Sequence, residues 1–129
     1  MIRIEHVALW VRDLERAHAF YAAYFGMAAG VKYHNPTKGF TSYFLSSPGG
    51  GPRLELMHHA GRDAQASTAT RVGYDHIAIS VGSRADVDGL TERLRADGYA
   101  VVGEPRVTGD GYYESVVLDG EGNRVEITA

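Results

Sequence analysis

The chain has 129 residues, 44% of them hydrophobic, and carries 13 Lys and Arg against 16 Asp and Glu for a formal net charge of −3. That is one domain's worth of sequence, long enough to bury a core unaided, and the scattered basic residues form no block that would track a phosphate backbone. With no cysteine at all, disulfides, thiolate metal sites and cysteine nucleophiles are excluded together.

The opening "MIRIEHVALWVRD" has neither the apolar core nor the small-residue cleavage site of a signal peptide. No run nears the roughly 20 apolar residues of a membrane span. The expectation is a soluble cytoplasmic protein with no nucleic acid or membrane as partner.

Residues 2–11 read as a strand, and Asp13 then offers an N-cap for "LERAHAFYAAYF". In that helix Leu14, Ala17, Tyr21, Tyr24 and Phe25 form the apolar stripe, and Gly26 is placed to end it in the left-handed conformation. Three strands are expected at 29–34, 40–46 and 53–58, the last two separated by "SSPGGGP". This half reads βαβββ.

After "AGRDAQASTATRVG" the pattern begins again, with a strand at 74–82 and a helix capped by Ser83 with Asp86 three residues on. Val87, Leu90 and Leu94 make its buried stripe and Gly98 closes it. Strands near 99–104, 112–118 and 124–128 complete a second βαβββ, the last pair joined by "DGEGN". His6 and His76 correspond, as do Asp13 and Ser83, Gly26 and Gly98, and Glu55 and Glu126, all about seventy residues apart. The chain therefore reads as a single α+β domain, 1–129, made of an internal repeat, 1–60 and 73–129, joined by a connecting segment 61–72.

Polar residues at matched positions carry the chemistry. Side chains alternate along a strand, so His6 shares a face with Ile4, Ala8 and Trp10, opposite Val7, Leu9 and Val11. His76 shares a face with Ala78 and Ser80 in the same way. The β-branched sides belong under the helices, which leaves each histidine on the open face of its sheet beside a small residue. In "RLELM" and "RVEIT", Glu55 and Glu126 point away from flanking apolar residues, and a cation is the usual way to offset a carboxylate on a buried strand.

If each half sets its first and last strands side by side, His6 with Glu55 and His76 with Glu126 supply the first shell of one divalent ion. Ni²⁺, Co²⁺, Zn²⁺, Mn²⁺ or Fe²⁺ all accept such donors, with positions left for water or substrate oxygens. Singly, a strand histidine is more often structural and a strand-end glutamate more often solvated. All four at matched positions make coincidence hard to sustain.

These segments resemble the vicinal oxygen chelate superfamily, which includes glyoxalase I, extradiol dioxygenases, fosfomycin-resistance enzymes, methylmalonyl-CoA epimerase and the metal-free bleomycin-resistance proteins. The resemblance spans essentially the whole chain. It is carried by "IEHVALWVRDLERAHAFYAAYFGM", "RLELM", "YDHIAISV" and "LDGEGNRVEI", which look like the His, Glu, His and Glu segments of bacterial glyoxalase I. It implies paired βαβββ modules forming an open, cupped β-barrel, often across a homodimer.

By that likeness the metal is held by His6, Glu55, His76 and Glu126, with Ni, Co or Zn the first candidates. The reaction implied is isomerisation of a hemithioacetal of a 2-oxoaldehyde through an enediolate, the chemistry of methylglyoxal detoxification. Glu126 is the first choice for the catalytic base, with Glu55 its near-symmetric counterpart. Where glutathione-dependent relatives carry Arg and Asn to hold the thiol, this chain has Trp10 and His59, so thiol and substrate stay open. The alternatives are another superfamily enzyme, an epimerase or ring-cleaving dioxygenase, or a drug-binding protein of the bleomycin-resistance type.

Other features carry less. Trp10, Tyr43 and Tyr113 fit either an aromatic lining of the open face or wall packing. His58 and His59 read as a solvated pair, and "TGDGYY" at 108–113 as a flap or a hairpin turn. "SPGGG" at 47–51 has no following Lys-Ser/Thr, and no phosphate role is assigned to it.

Overall fold

A computed structural model describes residues 1–61 and 72–129. The expected connecting segment lies, except for its two ends, outside the described residues. The chain divides into two compact units, Met1–Gln65 and Ala66–Ala129, each an α+β module.

The first unit runs β1 (His6–Trp10), α1 (Leu14–Phe25), β2 (Ala28–Ala29), β3 (Tyr33–Asn35), β4 (Phe40–Ser46) and β5 (Arg53–His59). Its mixed sheet has the order β1-β5-β4-β2, with β3 also pairing β4. Parallel pairing sets β1 directly beside β5, as expected for the first and last strands of the module. The strand expected at 29–34 is broken in two. Its pairing with β4 steps by one residue between Ala29↔Leu45 and Tyr33↔Ser42, so an extra residue bulges from the strand around Val31.

The side chain of Asp13 accepts from the Arg16 amide at 3.0 Å, and Gly26 ends α1 at φ 64°, where any other residue would be strained. Leu14, Ala17, Phe20 and Tyr21 are the buried residues of the helix. Phe20 thus belongs to the stripe, while Tyr24 and Phe25 are only half-buried. The helix packs on β4 and β5, over the fully buried Leu45 and Leu56 and the nearly buried Leu54.

The second unit runs β6 (His76–Ser80), α2 (Arg84–Ala96), β7 (Val101–Val107), β8 (Tyr113–Leu118) and β9 (Arg124–Thr128). Its sheet order is β6-β9-β8-β7, again with first and last strands parallel neighbours. Ser83 and Asp86 form a reciprocal capping box. Val87, Thr91 and Leu94 face the sheet, where Val117, Val125 and Ile127 have no exposed surface. Thr91 stands where Leu90 was expected. Its hydroxyl donates to the Val87 carbonyl at 2.6 Å and shares a 2.7 Å hydrogen bond with Ser115 of β8, so neither buried polar group is orphaned.

"TGDGYY" forms the hairpin turn between β7 and β8. The Thr108 amide donates to the Tyr112 carbonyl at 2.7 Å and the Gly111 amide to the Thr108 carbonyl at 3.0 Å. In "DGEGN", Asp119 is buried and accepts from the Glu121 and Asn123 amides, which fixes the turn into β9.

Candidate metal centre

Alternation along β1 and β6 places the histidines as the sequence suggests. His6, Ala8 and Trp10 are exposed while Val7 and Leu9 are half-buried, and His76, Ala78 and Ser80 alternate with Ile77 and Ile79 in the same way. The parallel registers are equivalent too. Ala8 lies directly across from Glu55, and Ala78 across from Glu126. A methyl group opposite each carboxylate leaves it room to reach the histidine two residues back.

The reach is made in both units. His6 Nε2 lies 3.7 Å from Glu55 Oε1, and His76 Nε2 lies 3.1 Å from Glu126 Oε2. Donors held about 2.1 Å from one ion are roughly 3.0 Å apart at adjacent octahedral positions and roughly 3.4 Å apart at tetrahedral ones. Both pairs fall near those spacings, and imidazole with carboxylate suits a first-row divalent ion. Each unit therefore presents a two-donor set that fits a metal. Among the described residues no group of three or more such side chains is gathered tightly enough to hold one.

The two pairs differ in electrostatics. Glu126 is 20% exposed, and burial raises its pKa above the ordinary carboxylate value. A hydrogen bond with Glu114 raises it further, against the pull of the neighbouring His76. Glu114 lies on β8, across from Thr128. The equivalent position of the first unit, across from Met57, is Ser42. The acidic neighbour belongs to one half alone.

The other nitrogen of each histidine is also engaged. His6 Nδ1 meets the carboxylate of Glu5, which also accepts from Arg53 Nε at 2.9 Å. His76 Nδ1 lies 2.7 Å from Asp75 Oδ2, and Arg124 Nε is 3.5 Å from the same oxygen. The hydrogen bond to His6 and then Arg53 hold the Glu5 carboxyl below its usual range; for Asp75 His76 is the largest cause and Arg124 adds to it. Sequence reasoning passes over these four residues. The signal is an acid immediately before each histidine and an arginine two residues before each glutamate.

Rings line the first unit's open face. Trp10 makes edge contacts with Phe40 and His59 at 6.1 and 6.5 Å between ring centres, and His6 stands edge-on to Phe44 at 5.1 Å. Tyr43 and Tyr113 do not belong to this lining. Tyr43 shares its side of the sheet with Leu45 and donates to Glu15 of α1 at 3.0 Å, while Tyr113 bonds Asp88 of α2. His59 stands by Trp10 and bonds the Gly61 amide.

Comparison with known proteins agrees with this architecture. A lactoylglutathione lyase of Arabidopsis thaliana is 34% identical over 131 residues, covering 97% of this chain and 43% of that protein. An ethylmalonyl-CoA/methylmalonyl-CoA epimerase of Cereibacter sphaeroides is 30% identical, with 84% and 82% covered. Among solved structures, a glyoxylase/bleomycin resistance protein/dioxygenase domain from Frankia sp. EAN1pec superposes with a TM-score of 0.81 at 25% identity, covering 99% of this chain and 97% of that one. A family profile matches residues 3–127, and with two βαβββ-like modules bearing equivalent His–Glu pairs, the chain belongs to the glyoxalase/bleomycin resistance protein/dioxygenase superfamily.

Proposed function

We propose that the protein is a metal-dependent lyase of the glyoxalase I type, in which His6, Glu55, His76 and Glu126 together hold one divalent ion, with Ni²⁺, Co²⁺ or Zn²⁺ preferred and Mn²⁺ or Fe²⁺ accepted. The observation that carries the reading is the recurrence, in both modules and in the same parallel register, of a His Nε2 within 3.7 Å or less of a Glu carboxylate. A binding protein that merely sequesters a ligand has no need for two such pairs. The reading takes the protein as a cytoplasmic homodimer on family likeness alone.

When bound, the ion supplies Lewis-acid stabilisation of the negative charge that develops on substrate oxygen as a carbon-bound proton leaves. The remaining work falls to the chain. Glu126, whose raised pKa reflects a carboxylate short of solvation, takes the proton from the hemithioacetal carbon and returns it to the neighbouring one. Substrate and product are isomers, so no co-reactant is consumed. Glu55 occupies the equivalent position in the first unit, where it serves mainly as a ligand. The Trp10, Phe40 and His59 rings offer an aromatic cluster at the far end of β1 from His6, which suits an apolar thiol or acyl substituent better than an anionic tripeptide.

A second reading has its own support. The 30% identical epimerase is matched over most of both chains, and epimerisation beside a thioester carbonyl likewise takes a proton off carbon, returning it to the same carbon rather than to its neighbour. The test strips the protein with chelator, restores Ni²⁺, Co²⁺, Zn²⁺ or Mn²⁺ singly, and follows thioester formation from methylglyoxal with a panel of thiols. Metal-dependent turnover that disappears in Glu126→Gln is the expected result. Solvent-deuterium exchange into an acyl-CoA without thioester formation replaces it with the epimerase reading, and stoichiometric metal with neither activity defeats both.

A further inference from the structure

The feature that the proposed chemistry leaves unused is what stands behind each histidine. We propose that Glu5 with Arg53, and Asp75 with Arg124, are positioning residues that lock His6 and His76 in the tautomer whose Nε2 is free to bind a metal. This role rests on the metal reading above and concerns groups beyond the four ligands.

Donors and acceptors decide the tautomer. A carboxylate only accepts, and Nδ1 meets one in each unit, Glu5 at His6 and, across 2.7 Å, Asp75 at His76, so the ring's one proton has its partner on Nδ1 when a metal ion takes the place of any proton on Nε2. In a neutral imidazole the proton on Nδ1 leaves the lone pair on Nε2. That is the nitrogen turned towards Glu55 in one unit and Glu126 in the other. Each arginine then fixes the acid itself. Arg53 Nε donates to Glu5 at 2.9 Å and Arg124 Nε lies 3.5 Å from Asp75. Each arginine also lies directly across from its histidine in the parallel ladder, in His6↔Arg53 and His76↔Arg124.

An ordinary surface ion pair is the competing reading, and singly it would prevail, because exposed pairs of this kind contribute little. Recurrence decides against it. The same chain of arginine, acid, histidine and glutamate is built twice, from the same strands in the same register, although one copy uses Glu and the other Asp. An outer carboxylate that orients a ligating histidine is worth about 10–100-fold in metal affinity where it has been removed from other sites.

The test compares wild type with Glu5→Gln and Asp75→Asn, each an amide of the same shape that can either accept from Nδ1–H or donate to bare Nδ1. Histidine ring ¹⁵N resonances of the Zn²⁺-loaded protein report which nitrogen keeps the proton, and Co²⁺ competition titrations report affinity. The expected result is a single Nδ1–H tautomer at His6 and His76 in wild type, a mixture at the affected histidine in each variant, and Co²⁺ binding weakened by about 10–100-fold. Glu5→Asp and Asp75→Glu, which keep a carboxylate, should recover much of the loss. Unchanged tautomers and affinity in both amide variants overturn the positioning role while the metal reading stands. A wild type that binds no Co²⁺ at its histidines defeats the metal reading and takes this inference with it.

Discussion

Replacing Glu126 by Gln should move the stability of the protein in opposite directions with and without metal. The carboxyl's raised pKa means that the folded state holds its proton more tightly than the unfolded chain does. That group therefore favours folding while protonated, and the advantage turns into a penalty as pH rises through the folded value. Gln carries no such charge, so metal-free Glu126→Gln should melt above wild type at neutral pH, with the gain vanishing towards pH ~4, where an ordinary glutamate takes up its proton.

With metal the order reverses. An ion at about 100 times its Kd stabilises the folded state by about 2.7 kcal/mol. Unfolding entropy of about 2.1 cal/mol/K per residue sums to about 0.27 kcal/mol/K over 129 residues, so wild type should gain about 10 °C. The variant, lacking the proposed donor Glu126, should gain much less at the same ion concentration. Differential scanning calorimetry across pH, with and without Co²⁺, gives both numbers. The reasoning fails if the variant shows the full metal-induced shift, or if its metal-free form melts below wild type at neutral pH.

Two other outcomes follow from particular contacts. Thr91→Val leaves the Ser115 hydroxyl without its buried partner and should cost about 1–3 kcal/mol in urea unfolding, with Ser115→Ala added to it recovering most of the loss. Trp10→Ala removes a ring of the aromatic cluster with Phe40 and His59; under the proposed function it should raise KM for hemithioacetals of apolar thiols by about tenfold while leaving kcat and Co²⁺ affinity near wild type.

Much of this arrangement is legible in the amino-acid sequence. Alternation alone puts His6 and His76 on the open face, and the pairing of first and last strands in each module brings Glu55 and Glu126 beside them. Helix ends are readable because Asp13, Ser83 and Gly26 act through their own backbone neighbours. What periodicity does not supply is register. The break between β2 and β3 depends on which residue of β4 each one faces, and nothing in "AAGVKYHN" announces the extra residue.

The acids before the histidines escape sequence reasoning for a related cause. Strict alternation assigns Glu5 and Asp75 to the opposite side of the sheet from His6 and His76. Because β1 begins at His6 and β6 at His76, the preceding residues lie outside the pleat and are free to turn back. Tyr43 is the reverse case, a residue that alternation places correctly. It has the same parity as Leu45 and so belongs on the helix side rather than in an aromatic lining.

The parallel pairing of each module's first strand with its last also bears on how the protein is made. His6 leaves the ribosome early, yet its cross-strand partner Arg53 and the carboxylate of Glu55 emerge only when the module is nearly finished. Everything between must be looped out before β1 can find a neighbour, and such distant closure is entropically expensive and slow. A nascent chain released before β5 would own a histidine but no glutamate to set beside it. The His–Glu pair thus doubles as a seal on completed synthesis: a truncated first module cannot assemble its half of the proposed metal site.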